Sequence, residues 1–297
     1  MCTRCCSFIA GAVIACLCGS AGATSYFVSP TGKDGNAGTA PAAAWAAIAK
    51  VNGINLQAGD TVFFEGGKTF KGTLTFDSSD GGDAARRVVV TSFGTGRATI
   101  SGGTADAVTI TGAMGITIAN LIVAGAGRNE NLGCSGVLIN AGSDVSVDQV
   151  EVSGFMKAGV MIGGGSQNVR VTNVYAHDNG YAGICAGWHF PKAQINRNIY
   201  IGHCRALHNP GVSSPEMYKK YVYDQTGSGI NLYRVVDGLI EYCEAADNGG
   251  DFYHEALNGP VGIWLAFCTR VTIQYCISHN NEAHRASDGF MYVDGDG

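Results

Sequence analysis

At 297 residues and 46% hydrophobic side chains, the chain is long enough for one core or two. Only 14% of it is charged and 44 positions are glycine, a profile that suits many short strands and turns and excludes long charged helices. The formal net charge of −5 supplies no basic footprint, so nucleic acid is not an expected partner.

The first residues, MCTRCCSFIAGAVIACLCGSAGATSYF, hold one Arg, an apolar run over residues 8–18 and an Ala21-Gly22-Ala23 site. That run is too short to span a bilayer. Residues 1–23 therefore read as a secretory signal cut after Ala23, which makes the protein secreted or periplasmic. Val13-Ile14-Ala15-Cys16 offers an alternative, a lipobox-like stretch that would leave the protein lipid-anchored through Cys16.

Residues 24–60 form a distinct entry region. Pro41 sits at a first helical position, and Trp45, Ile48 and Ala49 are spaced for one apolar face. Together they predict a short helix that shields the open edge of the first strands.

From residue 61 to 297 the chain repeats itself. VTIQYCISHNN at 271–281 aligns with GLIEYCEAADN at 238–248, IYIGHCRALHN at 199–209 and VRVTNVYAHDN at 169–179, and more weakly with VSVDQVEVSGF from Val145 and ITIANLIVAGA from Ile116. Each copy resumes with Gly and an apolar pair: GVLI at Gly136, GVMI at Gly159, GICA at Gly183, GINL at Gly229, GIWL at Gly262 and GFMY at Gly289. Short strand-like pieces recurring every 24 to 39 residues are the mark of a solenoid. Alternation then points Ile263, Leu265, Val271 and Ile273 inward and Trp264 outward. Cys204, Cys243 and Cys276 share one repeat position, so an inward stack of free thiols is expected rather than disulfides. Among the six cysteines that follow residue 23, no CxxC spacing suggests zinc. Asn179, Asn209, Asn248 and Asn281 fall at the turn before each Gly strand, where Asn tolerates a left-handed backbone and bonds its neighbours. His177, His203, His208 and His279 lie within the repeats and read as structural.

The repeat, with the entry segment YFVSPTGKDGNAGTAPAAAWAAIAKVNGINLQAGDTVFFEGGKTF, resembles the right-handed parallel β-helix repeat proteins, the family that includes pectate lyases. The fold expected is all-β: a right-handed parallel β-helix (solenoid) with a short N-terminal capping helix. The last residues, VDGDG, follow a Gly strand before its coil closes, so additional C-terminal coils or another domain are expected to cover the last rung.

Insertions gather on one side of the repeat. Gly183 lies four positions after Asn179, but Gly229 lies 20 after Asn209, Gly262 lies 14 after Asn248, and Gly289 lies eight after Asn281. Loops on one face of a solenoid commonly build its binding face. A further segment from Trp188, WHFPKAQINR, protrudes at the opposite end of a Gly strand. The resemblance implies that the Gly-strand face between these walls, with Cys185, Asn231, Trp264 and Met291 outward, is the floor of a groove for a polysaccharide, most naturally an acidic one. A lyase would need a cation on the uronate carboxylate, and Asp251, Asp288, Asp294 and Asp296 offer the oxygen ligands that Ca2+ prefers. It would also need a base, for which Lys219 or Lys220 is favoured and His284 or Arg285 is the alternative. Trp188, Trp264, Tyr221 and Tyr223, with Asn231, are the expected sugar contacts. The same groove would serve a glycoside hydrolase using a carboxyl pair drawn from Asp251, Glu255, Asp288 and Asp294. A third reading is a non-catalytic β-helix for carbohydrate binding or cell-surface adhesion.

Overall fold

The computed structural model describes residues 22–130, 133–187, 194–217, 219, 226–251 and 260–282. Among them, three stacked sheets of nine, eight and seven strands run the length of the molecule. Neighbouring strands are parallel and successive coils climb one strand at a time, as in Ile199 beside Gly238, Arg205 beside Glu244 and Ile230 beside Ile263. One coil is Asn196–Gly202 in the nine-stranded sheet, Arg205–Leu207 in the eight-stranded sheet and Ser228–Tyr233 in the seven-stranded sheet. This last sheet contains the Gly strands.

Alternation along each strand supplies the core. Val90, Ile118, Val147, Val171, Ile201 and Ile240 stand above one another in register, all at 0% exposure. Each buried side chain of this size contributes roughly 1.5–3 kcal/mol of hydrophobic stabilisation. The column continues to Ile273, which is only partly buried on the last described coil.

At the other end the expected short helix is present as Ile48–Val51, with Ile48 and Val51 buried. Trp45 is not part of it. Trp45 forms a parallel bridge with Val28, is 3% exposed and stacks on Tyr26 at 4.9 Å. Pro41–Ala43 is a separate 3-10 turn and Ala49 is exposed. The apolar spacing thus marks residues that cap the core from two elements.

The asparagines form a continuous internal column. The amide nitrogen of Asn179 donates to Asn209 Oδ1 at 3.1 Å, Asn209 to Asn248 at 2.9 Å, and Asn248 to Asn281 at 2.8 Å. Each also donates to a strand carbonyl of the coil below, such as Ala176 or Ala206. The left-handed residue at this corner is the one before: Asp178, His208, Asp247 and Asn280 have φ between 51° and 53°. The expectation that the ladder residues themselves take that backbone is therefore corrected; their task is to satisfy buried backbone groups that would otherwise lack partners. Glycine follows because space runs out. A Cβ on Gly229 would lie 2.4 Å from the Gly262 carbonyl oxygen and 3.0 Å from the Asn248 amide nitrogen.

The six cysteines among the described residues are free. Cys204 and Cys243 are 1% and 2% exposed, and Cys276 is half-buried. The Cys243 thiol is pushed far up by its hydrogen bond with Cys204 and by burial, so it stays protonated and packs as a small apolar group.

Candidate functional site

The outward face of the seven-stranded sheet carries its own column: Thr75, Thr109, Leu138, Met161, Cys185, Asn231 and Trp264, paired in register from coil to coil. Its character changes upward. Met161 and Cys185 join Met156, Tyr181 and Val212 in a second small apolar cluster outside the main core. The segment after Asn209 is thereby folded onto the sheet, and the Val212 N–H closes its base by donating to Thr226 Oγ1 at 3.3 Å. Sequence alternation placed Cys185 and Asn231 outward, and so they are, but both are at 0% exposure rather than on an open floor. Trp264 is half-buried.

Asn231 is unusual in its chemistry. Among the described residues, neither polar atom of its carboxamide has a hydrogen-bond partner. Asn196, which opens the adjoining strand of the nine-stranded sheet, is equally buried and equally unpartnered. A buried amide in this state costs roughly 1–3 kcal/mol.

Loop walls on the asparagine side are braced by Arg128. This guanidinium donates to the Gly211 carbonyl and to the Asp251 carboxylate, bridging coils far apart in sequence. Beside them lies a cavity of about 340 Å³ lined by His208, Asp247, Asn280, Asp251 and Glu282, among others. It is rich in acids, but no group of three His, Cys, Asp or Glu among the described residues is placed to hold a metal. Asp251 meets the Arg128 guanidinium through one of its carboxylate oxygens, Oδ2.

Of the other residues singled out in the sequence, Lys219 is exposed on the wall loop. Trp188, Lys220, Tyr221, Tyr223, Glu255, His284, Arg285, Asp288, Met291, Asp294 and Asp296 lie outside the described residues. Among the described residues, Cys185, Asn231 and Trp264 are brought together, as register partners on successive strands.

One group was missed by sequence reasoning. Asp106, just before the strand of the same sheet that starts at Val108, has its carboxyl raised by burial, against the opposing effects of the Ser135 N–H and the Lys157 charge. Its Oδ1 accepts the Ser135 N–H at 2.6 Å. The only sequence signal was an acid just before an apolar alternation, which turns supply everywhere.

Three parallel sheets wound into coils and an internal asparagine column define a β-solenoid. The family model described as "Right handed beta helix region" matches residues 135–296, and the chain belongs to that family. It is similar in structure to a GH136 lacto-N-biosidase from Eubacterium ramulus, with a TM-score of 0.62 and 18% identity over 87% of this chain and 56% of that one. A rhamnogalacturonan lyase gives 0.57 and 15%, over 85% and 66%. The pectate lyase Pel9A gives 0.53 and 15%, over 89% and 82%. At these identities the likeness is one of fold. The chain spans just over half the length of the lacto-N-biosidase. No curated protein matches the sequence significantly. Among the described residues no helix is long and apolar enough to cross a membrane.

Proposed function

We propose that this is an exported carbohydrate-active protein that holds a polysaccharide across the outward face of the Gly-strand sheet, and that its reaction is elimination on an acidic polysaccharide. The observation that carries the reading is the placement of the insertions after Asn209 and Asn248 along one side of the Gly-strand sheet, braced by Arg128 through Gly211 and Asp251, with half-buried Trp264 on the outward face. In this structure Asn231 on that face is fully buried, and a sugar hydroxyl, which both donates and accepts, would complete its amide only where the covering segment is displaced. Trp264 beside it supplies an apolar surface. Two of the structurally similar proteins are named as lyases, a pectate lyase and a rhamnogalacturonan lyase, which supports a polysaccharide as the ligand class.

Elimination needs a base near the proton beside the uronate carboxylate. Lys219 is the described residue of suitable chemistry on the wall loop, and Lys220 is its neighbour in sequence. A calcium requirement met through Asp288, Asp294 and Asp296 belongs to the same proposal. A second reading, hydrolysis, is favoured by Asp106: a carboxyl raised by burial is a candidate proton donor to a glycosidic oxygen. The lacto-N-biosidase likeness is compatible with it.

Incubation with pectate, alginate and glycosaminoglycans, followed by ultraviolet absorbance of unsaturated sugar ends, separates the two. Elimination predicts a rise on one acidic polymer, abolished by chelator and by the Lys219→Ala/Lys220→Ala double variant. New reducing ends without ultraviolet absorbance, lost in Asp106→Asn, would replace elimination with hydrolysis. Neither signal from folded protein that retains polymer on a column would leave a binding module.

A further inference from the structure

The Gly strand that carries Asn231, Ser228–Tyr233, ends on Arg234 at the corner leading to Val235–Glu241. One coil higher, Phe267 occupies the matching corner, and both residues have φ of 52°. The Arg234 guanidinium lies 5.4 Å from the Tyr233 ring centre and 5.9 Å from that of Phe267. Those two rings meet edge to face at 5.3 Å. The cation is thus held between aromatic faces, within the reach of cation–π attraction.

What it lacks is an anion. Arg97, Arg128, Arg205 and Arg270 each meet a carboxylate, from Glu151, Asp251, Glu244 and Asp237 respectively. Arg234, half-buried, meets none among the described residues. Its backbone is fully used, since its N–H donates to the Ala266 carbonyl at 3.0 Å and its carbonyl accepts from the Asn196 N–H at 3.3 Å. The corner is therefore fixed while the guanidinium donors remain available. Phe267, 76% exposed, leaves this corner open to solvent. Asn196, whose N–H meets this corner, and Asn231, three residues before Arg234 on the Gly strand, are the two carboxamides without a partner among the described residues.

We propose that Arg234, oriented by Tyr233 and Phe267, is the anion-reading residue of the groove, and that it binds the carboxylate of a uronate ring. This rests on the acidic-polysaccharide reading above and assigns the residue that recognises the acid group. A planar fork is suited to a planar carboxylate through two parallel hydrogen bonds, and stacking reduces the freedom lost on binding. The site is specific for charge and shape together, whereas a lysine here would supply only charge.

The test is calorimetric binding of size-selected oligogalacturonate, oligomannuronate, a sulfated oligosaccharide and a neutral xylo-oligosaccharide to the intact protein. Arg234→Gln is expected to weaken a carboxylated ligand about tenfold or more and to leave neutral binding unchanged. Arg234→Lys should recover only part, and Phe267→Leu should give an intermediate loss with the charge intact. Arg170→Gln is the control, because it removes the same charge from the nine-stranded sheet, where Arg170 covers Tyr200 at 4.1 Å. Thermal melts confirm folding of each variant. Unchanged uronate affinity in Arg234→Gln, an equal loss in Arg170→Gln, or preference for the sulfated or neutral ligand would overturn the assignment while the polysaccharide reading stands. Absence of binding to every saccharide by the unmodified protein would overturn both.

Discussion

A single carboxylate shows how a β-helix corner is tuned. Asp178 adopts the left-handed backbone at φ 53°, and its oxygens accept from His177 at 2.6 Å and from His208 of the next coil at 2.7 Å. Burial pushes its pKa up, but the two imidazole hydrogen bonds outweigh that, and the net value lies below the usual 3.8. A carboxylate lowered by folding adds stability above its unfolded pKa and loses it as pH falls through the folded value. Asp178→Asn should accordingly flatten the acid limb of the melting temperature against pH, below about pH 4. A parallel acid limb in the variant would remove Asp178 from the groups that govern acid stability. Left-handed corners elsewhere hold bulkier residues, at about 1 kcal/mol or more apiece. His203, Tyr242 and Tyr275 offset this by stacking ring on ring, at 5.0 Å and 5.2 Å, each contact contributing roughly 0.5–1.5 kcal/mol.

Within one coil, the Gly strand and the asparagine before it are a single device. Asparagine bridges to the coil above and to a strand carbonyl below, and glycine removes the side chain that would block that bridge. Gly229→Ala must displace the Gly262 backbone or the Asn248 amide, since its Cβ would meet them at 2.4 Å and 3.0 Å. It is expected to destabilise the protein by about 2 kcal/mol or more in urea unfolding. Gly35→Ala is the matched control, having no neighbouring atom within 4 Å, and should stay within roughly 0.5 kcal/mol of the parent. Equal effects at the two sites would mean that the asparagine column tolerates a shifted register.

For the whole molecule, each coil rests only on its neighbours, so stability is close to a sum over interfaces. Opening is then expected to differ along the axis. Cys204 and Cys243 are buried in the continuous core, whereas Cys276 sits half-buried on the last described coil. With a thiol reagent under native conditions, followed by peptide mapping, Cys276 should be labelled first and Cys204 and Cys243 only on global unfolding. Simultaneous labelling of all three would indicate a single cooperative unit. The same axial architecture sets the groove: insertions at one corner recur on successive coils, and Arg128 and the cluster around Val212 turn them from loops into a wall.

The solenoid itself was legible in the residues. Period, the inward Ile and Cys positions and the place of the asparagines all follow from alternation and repetition, because parallel stacking puts each residue on its own equivalent. The sequence also pointed to Asn231 and Trp264 as outward neighbours. It did not reveal that Asn231 is fully buried and unpartnered, that Asp251 is matched to Arg128, or that Asp106 is held by the Ser135 N–H. Nor did it single out Arg234, which reads as an ordinary turn residue until Phe267, one coil higher, is set against it. Those features depend on partners from 29 to 123 positions away, and a repeat of irregular length encodes in-register columns far more plainly than contacts between its insertions. Local periodicity determined the fold, and only the tertiary structure decided which polar groups remain without a partner.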